Sequence, residues 1–171
     1  MNSKNTSLQN INDVIDIILN GTPKEKEKYI NHYFKVADTG KLLKKNGFIG
    51  DYISVRYGVI THHKSKDTEH NLSADDWHQI SRKINTPLAI ADHNGAGRLF
   101  LDIERNGKYV IIGIDIKNTS QNTYINAITT AFYKDRLNDK ILYVDKKITA
   151  EQQALLGRPN SPSYLAASGL N

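Results

Sequence analysis

Two Asn-Gly pairs, Asn94-Gly95 and Asn106-Gly107, constrain the fold of this chain more than any other feature. Asn-Gly is the dipeptide that most favours the tight turn of a β-hairpin. Each pair lies between runs of strand-forming residues, and the runs in this half of the chain cover residues 88–91, 98–104, 109–116 and 124–133. The pattern predicts an antiparallel meander, to which residues 141–144 are expected to add an edge strand.

The first half of the chain has the spacing of helices instead. Apolar residues recur at helical intervals over residues 7–20, and Gly21 is a suitable stop residue. Thr22-Pro23 has the residues of a helix start and predicts a second helix. The buried stripe expected for that helix consists of Tyr29, Ile30, Tyr33 and Phe34.

Shorter elements complete the prediction. A basic helix is expected over residues 38–45, a strand over 52–57 and a last short helix over 149–156. Ser73, with Asp76 three residues later, resembles a capping box and starts a helix that Asn85-Thr86-Pro87 ends.

Helices followed by hairpin-linked strands indicate an α+β fold, in which the N-terminal helices pack on one face of a four- to five-stranded antiparallel sheet. The 171 residues, 39% of them hydrophobic, suit one domain with its own core. We expect a helical extension or linker over residues 1–31, the domain itself over 32–160 and a flexible tail over 161–171.

Several classes of function are excluded or disfavoured by the composition. The absence of cysteine excludes disulfides, thiolate catalysis and cysteine-type zinc sites. No apolar run is long enough to span a membrane. Gly95-Ala96-Gly97 lies between strands without a following helix, which argues against a nucleotide-binding glycine loop, and no cofactor is expected.

Residues 56–72 carry the clearest chemical signal, because three of the six histidines lie there among cations. Imidazole exchanges protons near neutral pH, and cations hold phosphate, so this pairing suits metal-independent RNA cleavage. His63 and His70 are the candidate acid and base, in an order that the sequence leaves open, and Lys64 is expected to bind the scissile phosphate. Arg56 is the second cation.

Other residues are candidates for substrate binding. Residues 41–66 carry six basic side chains against one acidic one, which favours a polyanion such as RNA. Lys66 belongs to this segment, His62 is a bystander or a substrate contact, and Tyr57 is a candidate to stack a base, although a tyrosine there is more often simply packed. Side chains that could ligate a metal are those of His62, His63, Asp67, Glu69 and His70. The neighbouring lysines disfavour the binding of a cation, so no metal is expected.

The chain also resembles a known family, the phage MuF C-terminal type domains, which are grouped with the PBECR set among barnase-, EndoU-, colicin- and RelE-like nucleases. The resemblance covers roughly residues 32–157. The residues that carry it are Tyr33-Phe34-Lys35-Val36-Ala37, Gly47-Phe48, His63-Lys64, His70-Asn71-Leu72, Asp76-Trp77, Asn85-Thr86-Pro87, Arg98-Leu99-Phe100, Gly107-Lys108-Tyr109 and Asn126-Ala127-Ile128-Thr129-Thr130-Ala131-Phe132.

This resemblance implies a barnase/EndoU-like fold and a toxin module of polymorphic toxins or phage proteins, held off by an immunity or antitoxin protein. In such folds the concave face of the sheet is the active surface, so the resemblance implies that Thr130 or Thr129, and with them Tyr133, offer hydroxyls to the phosphate. Strand alternation predicts that one of the two threonines faces the cleft.

The sequence therefore predicts a metal-independent endoribonuclease toxin that cleaves RNA, with tRNA as a reasonable substrate, and leaves a 2′,3′-cyclic phosphate. It is expected to act in the cytoplasm of a bacterial target or host cell, with no membrane partner and an oligomeric state that the sequence does not fix. The strongest alternative is a non-catalytic RNA- or protein-binding module on the same fold. A nucleotide-dependent modifying toxin ranks third, because a glycine-rich nucleotide loop is missing.

Overall fold

The computed structural model describes residues 8–62, 71–119, 121 and 123–157. Six α-helices and seven strands are formed by these residues, with a 3₁₀ turn at Glu27–Tyr29. In chain order the elements are α1 (Ile11–Asn20), α2 (Pro23–Lys26), β1 (Tyr33–Asp38), α3 (Lys41–Lys45), β2 (Tyr52–Arg56), α4 (Tyr57–Ile60), α5 (Ala74–Lys83), β3 (Ala89–His93), β4 (Ala96–Arg105), β5 (Lys108–Asn118), β6 (Tyr124–Lys134), β7 (Lys140–Val144) and α6 (Ala150–Gln153). Within the described ranges no helix has both the length and the apolar character needed to cross a membrane.

The helix starts follow the local sequence signals. The side chain of Asn10 accepts a hydrogen bond from the backbone N–H of Asn12 and caps α1. Ser73 and Asp76 form the predicted capping box at α5, in which each side chain accepts from the backbone N–H of the other residue. Both predicted helices are confirmed.

The second predicted helix is much shorter than its apolar stripe suggested. The α-helix ends at Lys26, a 3₁₀ turn follows at Glu27–Tyr29, and Asn31 then adopts a positive φ of 70°, which breaks the helical path. Residues Tyr33–Asp38 form β1, in which Phe34 and Val36 are buried while Tyr33 is exposed. The stripe prediction is wrong here because the spacing of Phe34 and Val36 follows the two-residue period of a strand.

The predicted meander is confirmed for β3 to β6, whose consecutive strands pair antiparallel. At the β3–β4 turn Asn94 and Gly95 have φ values of 53° and 91°, and at the β4–β5 turn Asn106 and Gly107 have 53° and 78°. Two consecutive positive φ values are what a two-residue hairpin turn requires, and asparagine and glycine adopt them most easily.

The sheet is larger than predicted and is mixed. It contains seven strands in the order β1-β2-β6-β5-β4-β3-β7, instead of four or five antiparallel strands. β2 pairs parallel to β6, with Ile53 opposite Asn126 and Val55 opposite Ile128, and β1 pairs antiparallel to β2 at the edge. The fold class is α+β as predicted, with two additional strands from the N-terminal half.

Alternate residues of the strands enter two cores on opposite faces of the sheet. Leu99 and Leu101 of β4 belong to the main core, whereas Phe100 between them belongs to the second core. The main core lies under the N-terminal helices and includes Trp77 of α5. The second core is closed by residues that follow β6, among them Leu137 and Leu156.

Helix α1 is an integral part of the main core. Ile11, Val14, Ile15 and Ile18 are all fully buried there. The side chain of Asn12 also donates to Oγ of Ser81 at 3.0 Å. Where the sequence predicts an extension or linker before residue 32, residues 11–20 pack with the rest of the fold, while the predicted tail at 161–171 lies outside the described residues.

Candidate functional site

An exposed cleft opens where β2 meets β6. It has a volume of about 280 Å³. Its lining residues are Arg56, Gly58, Val59, His62, Thr129, Thr130 and Ala131. Four of the residues selected from the sequence, Arg56, His62, Thr129 and Thr130, therefore lie around one cavity, although Arg56 and Thr129 are 73 positions apart in the sequence.

Arg56 is the cation of this cleft. It is the last residue of β2, and α4 begins at the next residue, so the strand end fixes the position of its backbone. Its side chain is exposed and lies over Gly58, where an added Cβ would be 3.7 Å from Cζ of Arg56. An exposed guanidinium at the rim of a cavity is well placed to receive a phosphate.

The two threonines lie at a β-bulge. Gly113 of β5 is paired with Thr130, but the next residue, Ile114, is paired with Ile128, so Thr129 is the extra residue on β6. Both threonines are exposed and both line the cleft. The prediction from alternation, that one of the two faces the cleft, missed this because the bulge interrupts the two-residue period.

The two hydroxyl groups differ in their contacts. Oγ1 of Thr129 donates to the carbonyl oxygen of Gly113 at 3.4 Å. Oγ1 of Thr130 lies over the Cα of Gly113, in the space that a side chain at position 113 would need. No hydrogen bond of the Thr130 hydroxyl is found among the described residues, so this hydroxyl is the better placed of the two to contact a ligand.

His62 lies on the rim of the cleft just after α4. Its side chain is exposed, and its backbone N–H donates to the carbonyl oxygen of Val59 at 3.3 Å. The other predicted residues of this segment, His63, Lys64, Lys66 and His70, lie outside the described residues.

Two predicted substrate-binding tyrosines lie away from the cleft lining. Tyr57 is partly buried and packs against the main core, which is the packed alternative considered for it. Tyr133 is only 3% exposed, and its hydroxyl donates to Oδ1 of Asp76 at 2.8 Å. Burial and the hydrogen bond to Asp76 raise the pKa of the Tyr133 hydroxyl above its ordinary value. The hydroxyl of Tyr133 therefore makes a hydrogen bond within the protein and does not line the cleft.

Three of the six basic side chains of residues 41–66 do not line the cleft. Lys41, Lys44 and Lys45 are on α3, which follows Asp38, and Asp38 is paired with the first residue of β2, Tyr52. Arg56 is at the other end of the same strand. The lysines of α3 are thus separated from Arg56 by the length of β2, about 13 Å.

Metal ligands do not gather in the described part of the chain: no group of three or more histidine, aspartate and glutamate side chains there is arranged to hold an ion. Of the five ligands weighed from the sequence, only His62 lies within that part.

One pair of titratable side chains, His93 and Asp139, was not predicted from the sequence. Nδ1 of His93 lies 2.6 Å from Oδ1 of Asp139, a residue of the loop between β6 and β7. The contact arises because β7 pairs with β3, with Lys140 opposite Asp92, so that the next positions, Asp139 and His93, face each other. The sequence signal for this pair is weak, since it requires the position of β7 to be known.

Comparisons with known proteins place the chain in a family. Neither a search of curated proteins nor a search of solved structures gave a match. The profile of the phage MuF-C-terminal domain family matches residues 61–151, which is more than half of the 171 residues. The match begins at the rim of the cleft and includes β3 to β7, Thr129 and Thr130. The chain belongs to the phage MuF-C-terminal domain family.

Proposed function

We propose that this protein is a metal-independent endoribonuclease toxin that cleaves RNA by attack of a ribose 2′-hydroxyl on the adjacent phosphorus. The observation that carries the proposal is the cleft in which the exposed guanidinium of Arg56, the side chain of His62 and the hydroxyl of Thr130 lie together. A cation, a hydroxyl donor and an imidazole are the groups that this reaction needs when no metal takes part.

The proposed reaction has one bond formed and one broken. The 2′-oxygen bonds to phosphorus while the bond from phosphorus to the 5′-oxygen breaks, which gives a 2′,3′-cyclic phosphate and a 5′-hydroxyl. A base removes the 2′-hydroxyl proton and an acid protonates the leaving 5′-oxygen. His63 and His70 are the candidates for these roles from the sequence.

Cations and hydroxyls of the cleft act on the charge of the phosphate. The phosphoryl oxygens gain negative charge as the fifth bond to phosphorus forms, so donors that already point at them lower the barrier. Arg56 offers a planar fork of N–H groups and Thr130 a hydroxyl that no other described residue uses. Lys64 and Lys66 supply further positive charge in this proposal.

The family and the fold are consistent with this activity. We assign the mixed sheet with helices on the main-core face to the barnase- and EndoU-like group, and the chain to the PBECR-type toxin domains within it. Membership of a phage protein family supports action on the RNA of a bacterial cell, with tRNA as the first substrate class to test. In this proposal a cognate immunity or antitoxin protein blocks the cleft, and the toxin acts in the cytoplasm of the cell.

The test is incubation of purified protein with total bacterial RNA in excess EDTA, read on a denaturing gel. Wild-type protein is expected to give discrete fragments that end in cyclic phosphate, and Arg56→Ala, His63→Ala and His70→Ala are expected to lose most of this cleavage. His78→Ala is the matched control, because His78 lies on α5 and bonds to Asn12 rather than lining the cleft. Intact RNA with wild-type protein would refute the proposal and favour a non-catalytic RNA- or protein-binding module.

A further inference from the structure

Tyr33 is an exposed tyrosine beside the cleft. It is the first residue of β1 and pairs with Arg56, the last residue of β2 and the cation of the cleft. In the described part of the chain the exposed aromatic residues are Tyr33 and Tyr124, with 43% and 44% of their surface accessible. Of these two, only Tyr33 is paired with a residue that lines the cleft.

The side chains of Tyr33 and Arg56 share one face of the sheet. Residues that pair directly in an antiparallel ladder lie on the same face, with their Cβ atoms about 4.5–5.5 Å apart. The next pair of the ladder, Phe34 and Val55, is buried in the main core. By alternation, Tyr33 and Arg56 therefore lie on the face that is turned away from the main core.

The hydroxyl of the cleft lies on the same face. Phe132 of β6 is buried in the second core, on the side of the sheet opposite the main core. Alternation puts Thr130, two residues earlier, on the side of Phe132. A ligand that approaches this side meets the ring of Tyr33, the guanidinium of Arg56 and the hydroxyl of Thr130.

The fold fixes the backbone of Tyr33 relative to the cleft. The carbonyl oxygen of His32 accepts from the backbone N–H of Tyr57 at 2.9 Å. Tyr57 is the first residue of α4, whose Gly58 and Val59 form part of the cleft wall. On the other side of Tyr33, Phe34 is buried in the main core. The ring therefore projects from a backbone that is held on both sides, which limits the ordering cost of binding.

The ring of Tyr33 is open to a partner. β1 is the edge strand, so in the described sheet no further strand lies beyond Tyr33. Within the described ranges the Tyr33 side chain makes no hydrogen bond and no contact with another ring. Exposed aromatic rings of this kind are the surfaces on which unpaired nucleobases stack. Tyr57, which the sequence suggested for stacking, packs against the main core instead.

We infer that Tyr33 binds the RNA substrate by stacking on an unpaired base of a nucleotide whose phosphate Arg56 holds. The inference rests on the proposed ribonuclease function. One ribose separates the base and the phosphate of a nucleotide, so a phosphate at Arg56 brings its base within reach of the neighbouring strand, where Tyr33 lies. Because a base that pairs cannot leave its helix to stack on a protein ring, the substrate class is single-stranded RNA or the loop of a folded RNA.

The stacking contact acts on affinity. The base takes no part in the bonds that form and break at phosphorus, so Tyr33 binds it equally well before and during the reaction. Such uniform binding lowers KM and leaves kcat unchanged. Tyr33 is therefore a substrate-binding residue with a kinetic effect that differs from that of the acid, the base or Arg56.

The experiment measures KM and kcat of Tyr33→Ala, Tyr33→Phe and Tyr124→Ala on an unstructured, end-labelled RNA oligonucleotide in excess EDTA. Tyr33→Ala is expected to raise KM by about fivefold or more at unchanged kcat, the usual loss when the platform for one base is removed. Tyr33→Phe keeps the ring and is expected to keep the wild-type KM. Tyr124→Ala is the matched control and is expected to behave as wild type, because Tyr124 is equally exposed but lies six residues before Thr130 on β6, about 20 Å away.

Substrates without a base test whether the base is the partner of Tyr33. Two oligonucleotides each lack the base of one of the two nucleotides at the cut site and keep its ribose and phosphate. One of them is expected to raise the KM of wild-type protein about as much as Tyr33→Ala does. The same oligonucleotide is expected to raise the KM of Tyr33→Ala little further, since the contact is already lost. Additive effects with both oligonucleotides would overturn the inference.

Failure of this inference can be told apart from failure of the ribonuclease proposal. Wild-type protein that cleaves, with a Tyr33→Ala variant whose KM rises less than about fivefold or whose loss is in kcat alone, overturns the inference and leaves the ribonuclease proposal standing. Wild-type protein that does not cleave overturns the ribonuclease proposal. The Kd of wild type and Tyr33→Ala for the same sequence as uncleavable 2′-O-methyl RNA, measured by fluorescence anisotropy, then decides on Tyr33 by the same fivefold criterion.

Urea unfolding followed by fluorescence of Trp77 identifies any variant that has lost its fold. If Tyr33→Ala is unfolded, Tyr33→Leu replaces it, because leucine keeps an apolar side chain at this strand position without an aromatic ring. The criterion for KM and Kd stays the same.

Discussion

Replacement of Tyr133 by phenylalanine is expected to destabilise the fold by about 2 kcal/mol. Asp76 is the reason, because its carboxylate joins three elements while its side chain is only 9% exposed. Oδ1 accepts from the Tyr133 hydroxyl at 2.8 Å, and Oδ2 accepts from the backbone N–H of Ser73 at 2.8 Å and lies 3.6 Å from Nη1 of Arg105. A hydrogen bond to a charged group contributes roughly 1.5–3 kcal/mol, and little water can replace a hydroxyl lost from so buried a site.

The assay is urea unfolding followed by fluorescence of Trp77, the one tryptophan of the chain, which is 1% exposed and lies next to Asp76 in α5. Tyr143→Phe is the matched control. The Tyr143 hydroxyl donates to Oδ1 of Asp145 at 3.0 Å in a half-buried position, so its loss is expected to cost less than about 1 kcal/mol. Equal stability of Tyr133→Phe and wild type, within about 0.5 kcal/mol, would refute the argument that this hydroxyl supports a buried carboxylate.

The same hydroxyl gives an alkaline pH dependence with a definite sign. The pKa of Tyr133 is raised in the folded protein by burial and by Asp76, so the folded state keeps a proton that the unfolded state releases. The stabilisation is complete below the ordinary tyrosine pKa of about 10 and is lost as the pH rises above it. Tyr133→Phe is expected to lose less stability than wild type between pH 9 and pH 11, which the same urea series measures.

Two further substitutions test other parts of the structure. Gly113→Ala is expected to displace the Thr130 hydroxyl from the β5 backbone, to cost roughly 1–3 kcal/mol in urea unfolding and to lower RNA cleavage; unchanged cleavage would show that this hydroxyl takes no part. Ile15→Ala is expected to cost about 2–5 kcal/mol in the same assay, because Ile15 is fully buried, and a loss under about 0.5 kcal/mol would mean that α1 contributes little to the core.

The parts of the fold that local sequence determines were predicted well. The turns at Asn94-Gly95 and Asn106-Gly107 require positive φ values that these residues adopt easily, so the meander from β3 to β6 follows from the sequence. The start of α5 follows from the reciprocal bonds of Ser73 and Asp76.

The parts that depend on distant pairing were not predicted. β1 was hidden because Tyr29, Ile30, Tyr33 and Phe34 also fit a helical stripe, and the positive φ of Asn31 that separates helix from strand leaves no clear sequence signal. The parallel pairing of β2 with β6 joins residues more than 70 positions apart, and no local turn sequence predicts it.

In the candidate site, too, some features were predicted from the local sequence and others depend on distant strand pairing. The residue types at Arg56, His62 and Thr130 were selected from the sequence, and the fold places them around one cleft. The second threonine in the cleft depends on a β-bulge, and the contact of His93 with Asp139 depends on the unexpected position of β7 next to β3. Bulges and strand order are set by the packing of the whole sheet, which the local pattern does not contain.

The parallel pairing of β2 with β6 has a consequence for when the cleft forms during folding. Three registered residue pairs form this ladder, and in the described sheet it is the junction between the β1–β2 hairpin and the five strands β3 to β7. Arg56 lies on one side of the junction and Thr130 on the other. After Arg56 has been synthesised, the ribosome must still add more than 70 residues before the paired part of β6 exists. Until then the chain has Arg56 without Thr130, so the cleft is incomplete. Assembly of the cleft is therefore a late, long-range event, and a nascent chain carries Arg56 for some time before the complete cleft exists.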